Sequence, residues 1–437
     1  MQLLQFIHRR IWIVLAIFLL VSAAGAGYLI YRSAVTAEPP LPERREVAVA
    51  SNTTQEHLIE LQDELIREFE QEHLLWSMQI DPMENAEIRR LLQGRLESGS
   101  GDPSEHSIYP VFSDNLLSQL IAHTRLQPLD GVVTEDHLND SLFPVLRDAI
   151  LSEGTPFVVP YRWHYWGIWY NTEVFAAAGL QPPDTIEELE VTVTALQEAG
   201  ISPFAVGGGF GWPVEAWFDY LYVRTYGPRQ HRLLSAGEMS FHHESVRETL
   251  QRLSGMIQES WFSPGSEGMN WLQAAGQFES GEAAMYLMGD YLWDRLPVAV
   301  RRRTAFIPFP TGAHSDTAEL ISVEGWAVPV SAPHSEGAVA YLRHRFSAAH
   351  IQEYAARSGS NPVRSDAVPA FVSDRQHHAV TAIGPAAYGF PLFSRRVPEH
   401  MDPGTRFARL FANPTPDGID AFINSMEERR VADGEPQ

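Results

Sequence analysis

Two stretches of the chain crowd large aromatic rings beside groups that bind hydroxyls. Tyr161, Trp163, His164, Tyr165, Trp166 and Trp169 place five rings and an imidazole within nine residues. Residues 211–224 add Trp212, Trp217, Phe218, Tyr220 and Tyr222, with Glu215 and Asp219 four apart on one helical face. Asp290 and Tyr291 follow in residues 286–293, and Glu324 and Trp326 in residues 323–327. Sugars are the ligand class that wants this mixture. A pyranose has apolar C–H faces that lie on aromatic rings, and a rim of hydroxyls that needs carboxylates, amides and arginine. Packing competes for the same residues. Trp169, Phe218, Leu221 and Tyr222 fall where a buried strand or helix face would lie and are read as core. Trp163, Tyr165, Trp212, Glu215 and Asp290 fall at element ends or corners, where a site and a packing role both fit.

Other chemistries are excluded by composition. The 437 residues contain no Cys, which removes disulfides, thiolate metal sites, a Cys nucleophile and a lipidated N-terminal Cys. All 32 basic residues are Arg, so neither a Schiff-base nor a P-loop lysine exists. There is no HExxH, the pairs His242-His243 and His377-His378 lack ligand spacing, and no GxSxG elbow occurs. The run GGGFG at 207–211 lacks the spacing of a dinucleotide fingerprint and reads as a sharp turn between a strand and a helix. Arg301 to Arg303 read as a solvated charge run. No metal and no cofactor are expected. With 55 acids and a net charge of −23, the surface repels nucleic acid.

The elements that must position these residues alternate. Strand patterns at 46–51, 74–80 and 107–112 are each followed by a helical pattern, the first carrying Leu58, Leu61, Leu65, Ile66 and Phe69 on one face after a Thr53–Glu56 capping box. This βαβαβα order predicts a parallel, doubly wound α/β sheet with ligands at the carboxyl ends of its strands. Residues 155–160 and 166–170 read as two strands joined by an aromatic corner. A second capping box, Thr185 to Glu188, opens a helix. Strands are expected again at 201–206, 283–288, 304–309 and 326–330, with helices at 213–224, 244–257, 335–346 and 348–357. The result is two α/β lobes.

The N-terminus fixes the compartment. Residues 11–30 (IWIVLAIFLLVSAAGAGYLI) carry no charge and follow His8, Arg9 and Arg10, the pattern of an export signal with small residues at Ala24 and Ala26. The run is also long enough to span a bilayer, roughly 20 residues. A cleaved signal and a retained anchor (1–36) both fit, followed by a Pro-rich spacer at 37–45. Either way the rest of the chain is exported to the periplasmic side, free or tethered by residues 11–30.

Residues 161–179 (YRWHYWGIWYNTEVFAAAG), followed by Leu180, Pro182 and Pro183, resemble the signature of the extracellular solute-binding proteins of ABC sugar importers. Residues 211–224, FESGEAAMYLMGD at 278–290, PFP at 308–310 and SGSNPVR at 358–364 match in order, so the likeness runs from about Arg45 to Asp366. The N-terminal third departs from the pattern at GDPSEH (101–106), where a small-residue run ending in Pro-Asp is usual. The resemblance implies a two-lobed periplasmic-binding-protein fold with three inter-lobe crossings, near Tyr165, Met288 and Ser322, and a ligand cleft between the lobes. Lobe one would hold 46–165 plus 288–322, and lobe two 166–287 plus 323–437. It implies Trp163, Tyr165, Trp212, Glu215, Asp290, Trp326, Asn361 and Arg364 as sugar contacts. It also implies a monomeric, non-catalytic binding subunit that delivers a sugar or oligosaccharide to a permease and its ATPase, both separate chains.

Two other readings stay open on the residues alone. A secreted glycoside hydrolase needs two carboxyls about 5–10 Å apart, and Glu215 with Asp219 could supply them. A membrane-tethered sugar-sensing lobe fits a retained N-terminal helix. The acidic, lysine-free composition fits either a high-salt environment or a codon bias toward Arg.

Overall fold

The computed structural model describes Leu15 and residues 18–28, 43–98, 106–313 and 318–434. Residues 11–14, 16–17 and 29–30 of the apolar run, 37–42 of the spacer and 101–105 therefore lie outside the described residues. Met1–Arg45 and Glu46–Gln437 are separate units. In the first, residues 18–28 are helical and exposed. Among the described residues no helix is long and apolar enough to cross a membrane.

The second unit begins as its hydrophobic periodicity dictates: β1 (Arg45–Ser51), α1 (Glu56–Glu72), β2 (Trp76–Pro82), α2 (Asn85–Ser98), β3 (Tyr109–Phe112) and α3 (Asn115–Ala122). Leu58, Leu61, Leu65, Ile66 and Phe69 are the buried stripe of α1. The Thr53–Glu56 capping box does not form. The helix starts at Glu56 after Gln55, which makes no side-chain cap, so Thr53 lies too far upstream to reach the first-turn amides. β1 pairs with β2, and Val49 bridges Ile108 in parallel.

The aromatic stretch is not two strands and a corner but one 13-residue strand, β4 (Val159–Asn171). Its β-branched and aromatic residues suit an extended backbone throughout. Continuity is kept because the strand changes partners midway. The second half of the unit adds α4 (Ile186–Glu198), β5 (Ser202–Ala205), α5 (Trp212–Ser235), α6 (Glu244–Gln258), α7 (Trp271–Ser280), β6 (Ala283–Gly289), β7 (Thr304–Ile307) and β8 (Ala318–Ala327). It closes with α8 (Ser335–Arg345), α9 (Ala348–Ser358), β9 (Tyr388–Phe390), α10 (Pro403–Ala412) and α11 (Pro416–Gly434). The Thr185–Glu188 capping box opens α4 as expected.

Residues 159–165 of β4 run antiparallel to β8, with Trp163 opposite Val323 and Tyr165 opposite Ile321. From Trp166 onward the partners are β6 and, at residues 168–171, β7. β8 changes partners in the same way. Its residues 318–320 run parallel to β9, and its residues 324–327 run antiparallel to β3. The connected order is β9-β8-β4-β6-β5, a mixed sheet rather than a purely parallel one. Trp169, Phe218, Leu221 and Tyr222, expected as core, are all buried.

A buried ionic cluster ties α5 to β8. Arg224 Nη2 donates to Glu319 Oε1 at 2.8 Å and to the Phe309 carbonyl at 3.0 Å, and Nε donates to the Pro310 carbonyl at 3.1 Å. The Tyr220 hydroxyl lies 3.1 Å from Glu319 Oε2. Burial raises the Glu319 carboxyl even with Arg224 beside it.

A second cluster holds the C-terminal segment against α5. Asp219 Oδ2 accepts the Phe393 N–H at 2.9 Å, and its Oδ1 lies 2.9 Å from His231 Nε2. Glu215 Oε1 accepts the Ser394 N–H, while its Oε2 has no partner among the described residues. Both amides belong to the first turn of a short helix, Phe393–Arg396. The carboxyls thus do, from a distant helix, the work of an N-cap. Burial holds His231 down to about 3, so it stays neutral. Burial, then the Asp219 charge, push Glu215 up to about 8.

Two measurements follow from these clusters. Arg224→Met leaves Glu319 buried without its counter-charge and is expected to cost about 3–5 kcal/mol in urea unfolding, with Arg224→Met/Glu319→Leu recovering much of the loss. An Arg224→Met protein as stable as the parent would contradict this. Glu215 has a folded-state pKa above its ordinary 4.5, so its proton favours the fold. That contribution is complete below pH 4.5 and is lost as pH rises through about 8. Between pH 5 and pH 8.5 the parent should therefore lose on the order of a few kcal/mol relative to Glu215→Gln. A pH-independent difference between the two would show that the carboxyl is ionised throughout.

Candidate functional site

A cleft of about 790 Å³ opens beside the point where β4 and β8 change partners. Four aromatic residues form one side, three at element starts or ends and Trp166 at the partner change within β4. Trp166 is the first β4 residue paired to β6, and Trp212 is the first residue of α5. Trp271 opens α7, whose start is fixed by an Asn270–Gln273 capping box. Tyr291 follows the last strand residues of β6. Their rings meet edge to face: Trp166 with Trp212 at 5.5 Å, Trp166 with Tyr291 at 6.1 Å, and Trp271 with Tyr291 at 5.6 Å. That geometry locks each ring by its neighbours. Trp212, Trp271 and Tyr291 are partly exposed, whereas Trp166 is buried. Burial, then the Asp290 charge, push the Tyr291 phenol up, so it remains a neutral hydroxyl.

The opposite side is polar. Asp114 caps α3 by accepting the Leu117 N–H at 3.2 Å and is ion-paired with Arg89 of α2. Gln93, Asn115 and Gln119 line the same wall. The floor is Leu320 to Ser322 of β8, and the third wall is the C-terminal segment with Ser394, Arg395, Glu399 and Asp402. Gly211 lets that segment approach. Its φ is +75°, and a Cβ there would fall 1.7 Å from the Gly404 carbonyl oxygen.

Of the eight residues expected to touch a sugar, Trp212 lines this cleft. Trp163 and Tyr165 are completely buried, the indole N–H donating to the Pro362 carbonyl and the phenol to the Arg375 carbonyl, both at 2.8 Å. Glu215 stands behind the wall, bound to the Ser394 amide rather than facing the cleft. Asp290 and Asn361 are brought together: Asp290 lies 2.7 Å from His164 Nδ1, 2.6 Å from Asn361 Nδ2 and 3.3 Å from Arg375 Nη1. Burial alone would raise Asp290, but His164, Arg375 and the Asn361 hydrogen bond outweigh it and hold the carboxyl below its ordinary value. Trp326 is stacked on Tyr161 at 4.2 Å with Arg345 5.1 Å from its ring. Arg364 forks onto Asp366 at 2.9 and 2.7 Å and donates to the Phe346 carbonyl.

Trp271, Arg89 and Asp114 were not anticipated. A signal for two of them was present: Asn270 and Gln273 frame Trp271 as a helix start, and Asp114 precedes the apolar run of α3 as an N-cap. Arg89 carries no such mark, because its partner is 25 residues away.

With the geometry in place, known proteins can be compared. Residues 87–350 match the family model of the bacterial extracellular solute-binding proteins. An uncharacterized ABC transporter extracellular-binding protein of Pyrococcus horikoshii is 24% identical over 314 residues, which is 70% of this chain and 68% of that one. The alpha-glucosides-binding periplasmic protein of Rhizobium meliloti is 27% identical over 182 residues, 39% of each chain. Among solved structures, the bacterial solute receptor AcbH, described as having an exclusive preference for β-D-galactopyranose, superposes with a TM-score of 0.80. It is 18% identical, over 90% of this chain and all of that one. Apo RafE of Streptococcus pneumoniae superposes at 0.72, with 14% identity over 90% of this chain and 99% of that one. The fold is the two-lobed α/β fold of such receptors, and the chain belongs to the bacterial extracellular solute-binding protein family.

Proposed function

We propose that this chain is the sugar-capturing subunit of an ABC importer, binding a mono- or oligosaccharide in the cleft beside the β4–β8 crossing and presenting it, as a monomer, to a membrane permease. The observation that carries the reading is the pairing of one wall of interlocked aromatic rings with one of hydroxyl-binding side chains. The rings offer flat apolar faces to a pyranose; Arg89, Asp114, Gln93 and Asn115 offer the fork, carboxylate and amides its hydroxyls require. Relatives whose names or descriptions specify galactopyranose and alpha-glucosides support the same ligand class. In this reading Trp212, with Trp166, Trp271 and Tyr291, contacts sugar. Trp163, Tyr165, Glu215, Asp290, Trp326, Asn361 and Arg364 hold the elements that carry those contacts.

We further propose a lobe division that follows strand partners. The first lobe holds residues 46–165 and 321–387, and the second holds 166–320 and the segment from Tyr388 to the C-terminal helix. Residues 288–322, expected with the first lobe, go largely to the second in this division, because β7 pairs with the same half of β4 as β6 does. Closure is then a rotation about β4 and β8, driven by ligand contacts available only when the walls approach. The charge-free run after Arg9 and Arg10 supports export, with the folded part outside the cytoplasmic membrane. No catalysis is assigned. The carboxyl pair that a hydrolase would need, Glu215 and Asp219, is committed to backbone amides and His231.

Titration of the purified chain with a panel of galactosides, glucosides and short oligosaccharides, read by intrinsic tryptophan fluorescence and calorimetry, should give saturable binding to at least one. Trp212→Ala should weaken that binding tenfold or more, about 1.4 kcal/mol or greater, with an unchanged Tm. Silence across the panel, or parental affinity in Trp212→Ala, contradicts the proposal. Release of sugar products that stops in Glu215→Gln would establish a hydrolase instead.

A further inference from the structure

Outside the cleft lining, the C-terminal end of α1 meets α8 and α9 at a cluster of imidazoles that no sequence spacing reveals. One ligand atom each from Glu72, His73 and His344 lies within 4.8 Å of the other two. The His350 ring sits 3.9 Å from that of His344, and Glu68 lies 3.5 Å from His350 Nε2. We propose that Glu72, His73 and His344 form a binding site for a divalent transition-metal ion, of the class that takes imidazole and carboxylate ligands, with zinc the best match.

Four observations carry this. His73 Nδ1 is 3.1 Å from the Phe69 carbonyl, to which it can only donate, so Nε2 is left as a free lone pair. A backbone carbonyl fixing one imidazole nitrogen while the other ligates is the usual support of a metal-bound histidine. The His344 side chain is 8% exposed, so its ring is held in place by packing. Its Nδ1 stands 3.4 Å from Glu72 Oε2. That is long for a charge-assisted hydrogen bond, about 2.7–2.9 Å. It matches the roughly 3.3–3.5 Å between two ligands of a tetrahedral ion with bonds near 2.0–2.1 Å. The Glu72 side chain is 66% exposed, so it is free to close the remaining gap. Finally, Glu72 and His73 end α1 and His344 lies in the last turn of α8, so two helix C-termini direct partial negative charge at the same place.

The ligand set excludes calcium and magnesium, which prefer all-oxygen shells, and favours ions of the zinc, cobalt and nickel group. A bound ion would staple residues 72–73 to residue 344 and stabilise the helices on this face. None of the three residues lines the cleft, so the site stands or falls independently of sugar binding.

The test uses the full chain without an affinity tag, stripped with chelator. Titration with Co²⁺ should produce a saturable visible absorption at one equivalent, displaced by Zn²⁺. Zn²⁺ should raise Tm by roughly 2–5 °C, with Mg²⁺ and Ca²⁺ inert. The cobalt spectrum should be lost in His344→Gln and, separately, in His73→Gln. It should persist in His378→Gln. Metal-free circular dichroism and melting of each variant establish that it is folded. Absence of a one-equivalent spectrum, its survival in both variants, or an equal Tm rise with Mg²⁺ would overturn the assignment.

Discussion

The structure depends on one ladder, the antiparallel pairing of β4 with β8. Each strand is hydrogen-bonded at one end to one group of strands and at the other end to a second group. The pair therefore stays together from Val159 to Tyr165 of β4 and diverges beyond Trp166 and Leu320. Every cleft element can be traced to that arrangement. Trp166 stands where β4 leaves β8 for β6, and Leu320 to Ser322 are the corresponding step on β8. The cleft opens there, where the two strands part to different partners.

Charge is handled by keeping buried groups in closed sets. Arg224, Glu319 and Tyr220 satisfy one another across α5 and β8, and His164, Asn361 and Arg375 all bond the Asp290 carboxylate near the partner exchange. Glu215 and Asp219 differ in accepting main-chain amides, so their protonation bears on where Phe393 and Ser394 sit. The cleft's third wall is thereby anchored by titratable groups that never face the ligand. After burial, the Asp219 charge is what pushes the Glu215 carboxyl up.

The fold was far more legible than the site. Periodicity located α1 and its stripe, because burial on one face dictates i, i+3, i+4 spacing however the chain is later arranged. The second capping box was legible because Thr185 and Glu188 act within one turn, whereas Thr53 failed once the helix started at Glu56. The partner exchange within β4 was invisible: an aromatic run reads alike whether it bends or switches neighbours. Trp163 and Trp212 are the sharper lesson. Both are tryptophans beside polar groups, yet one indole donates to a carbonyl in the core and the other lines the cleft. Only position relative to the crossing separates them. The His73–His344 cluster joins residues on different helices, so no motif could announce it.

The central claim is that the cleft beside the β4–β8 crossing holds a sugar between aromatic and polar walls. A crystal structure of the chain with the tightest-binding sugar tests it most directly. The account predicts a pyranose face against Trp212, hydroxyls bonded to the Arg89–Asp114 wall, and the walls closer together than in the free chain. A ligand seated elsewhere, or one that leaves the four rings untouched, would contradict it.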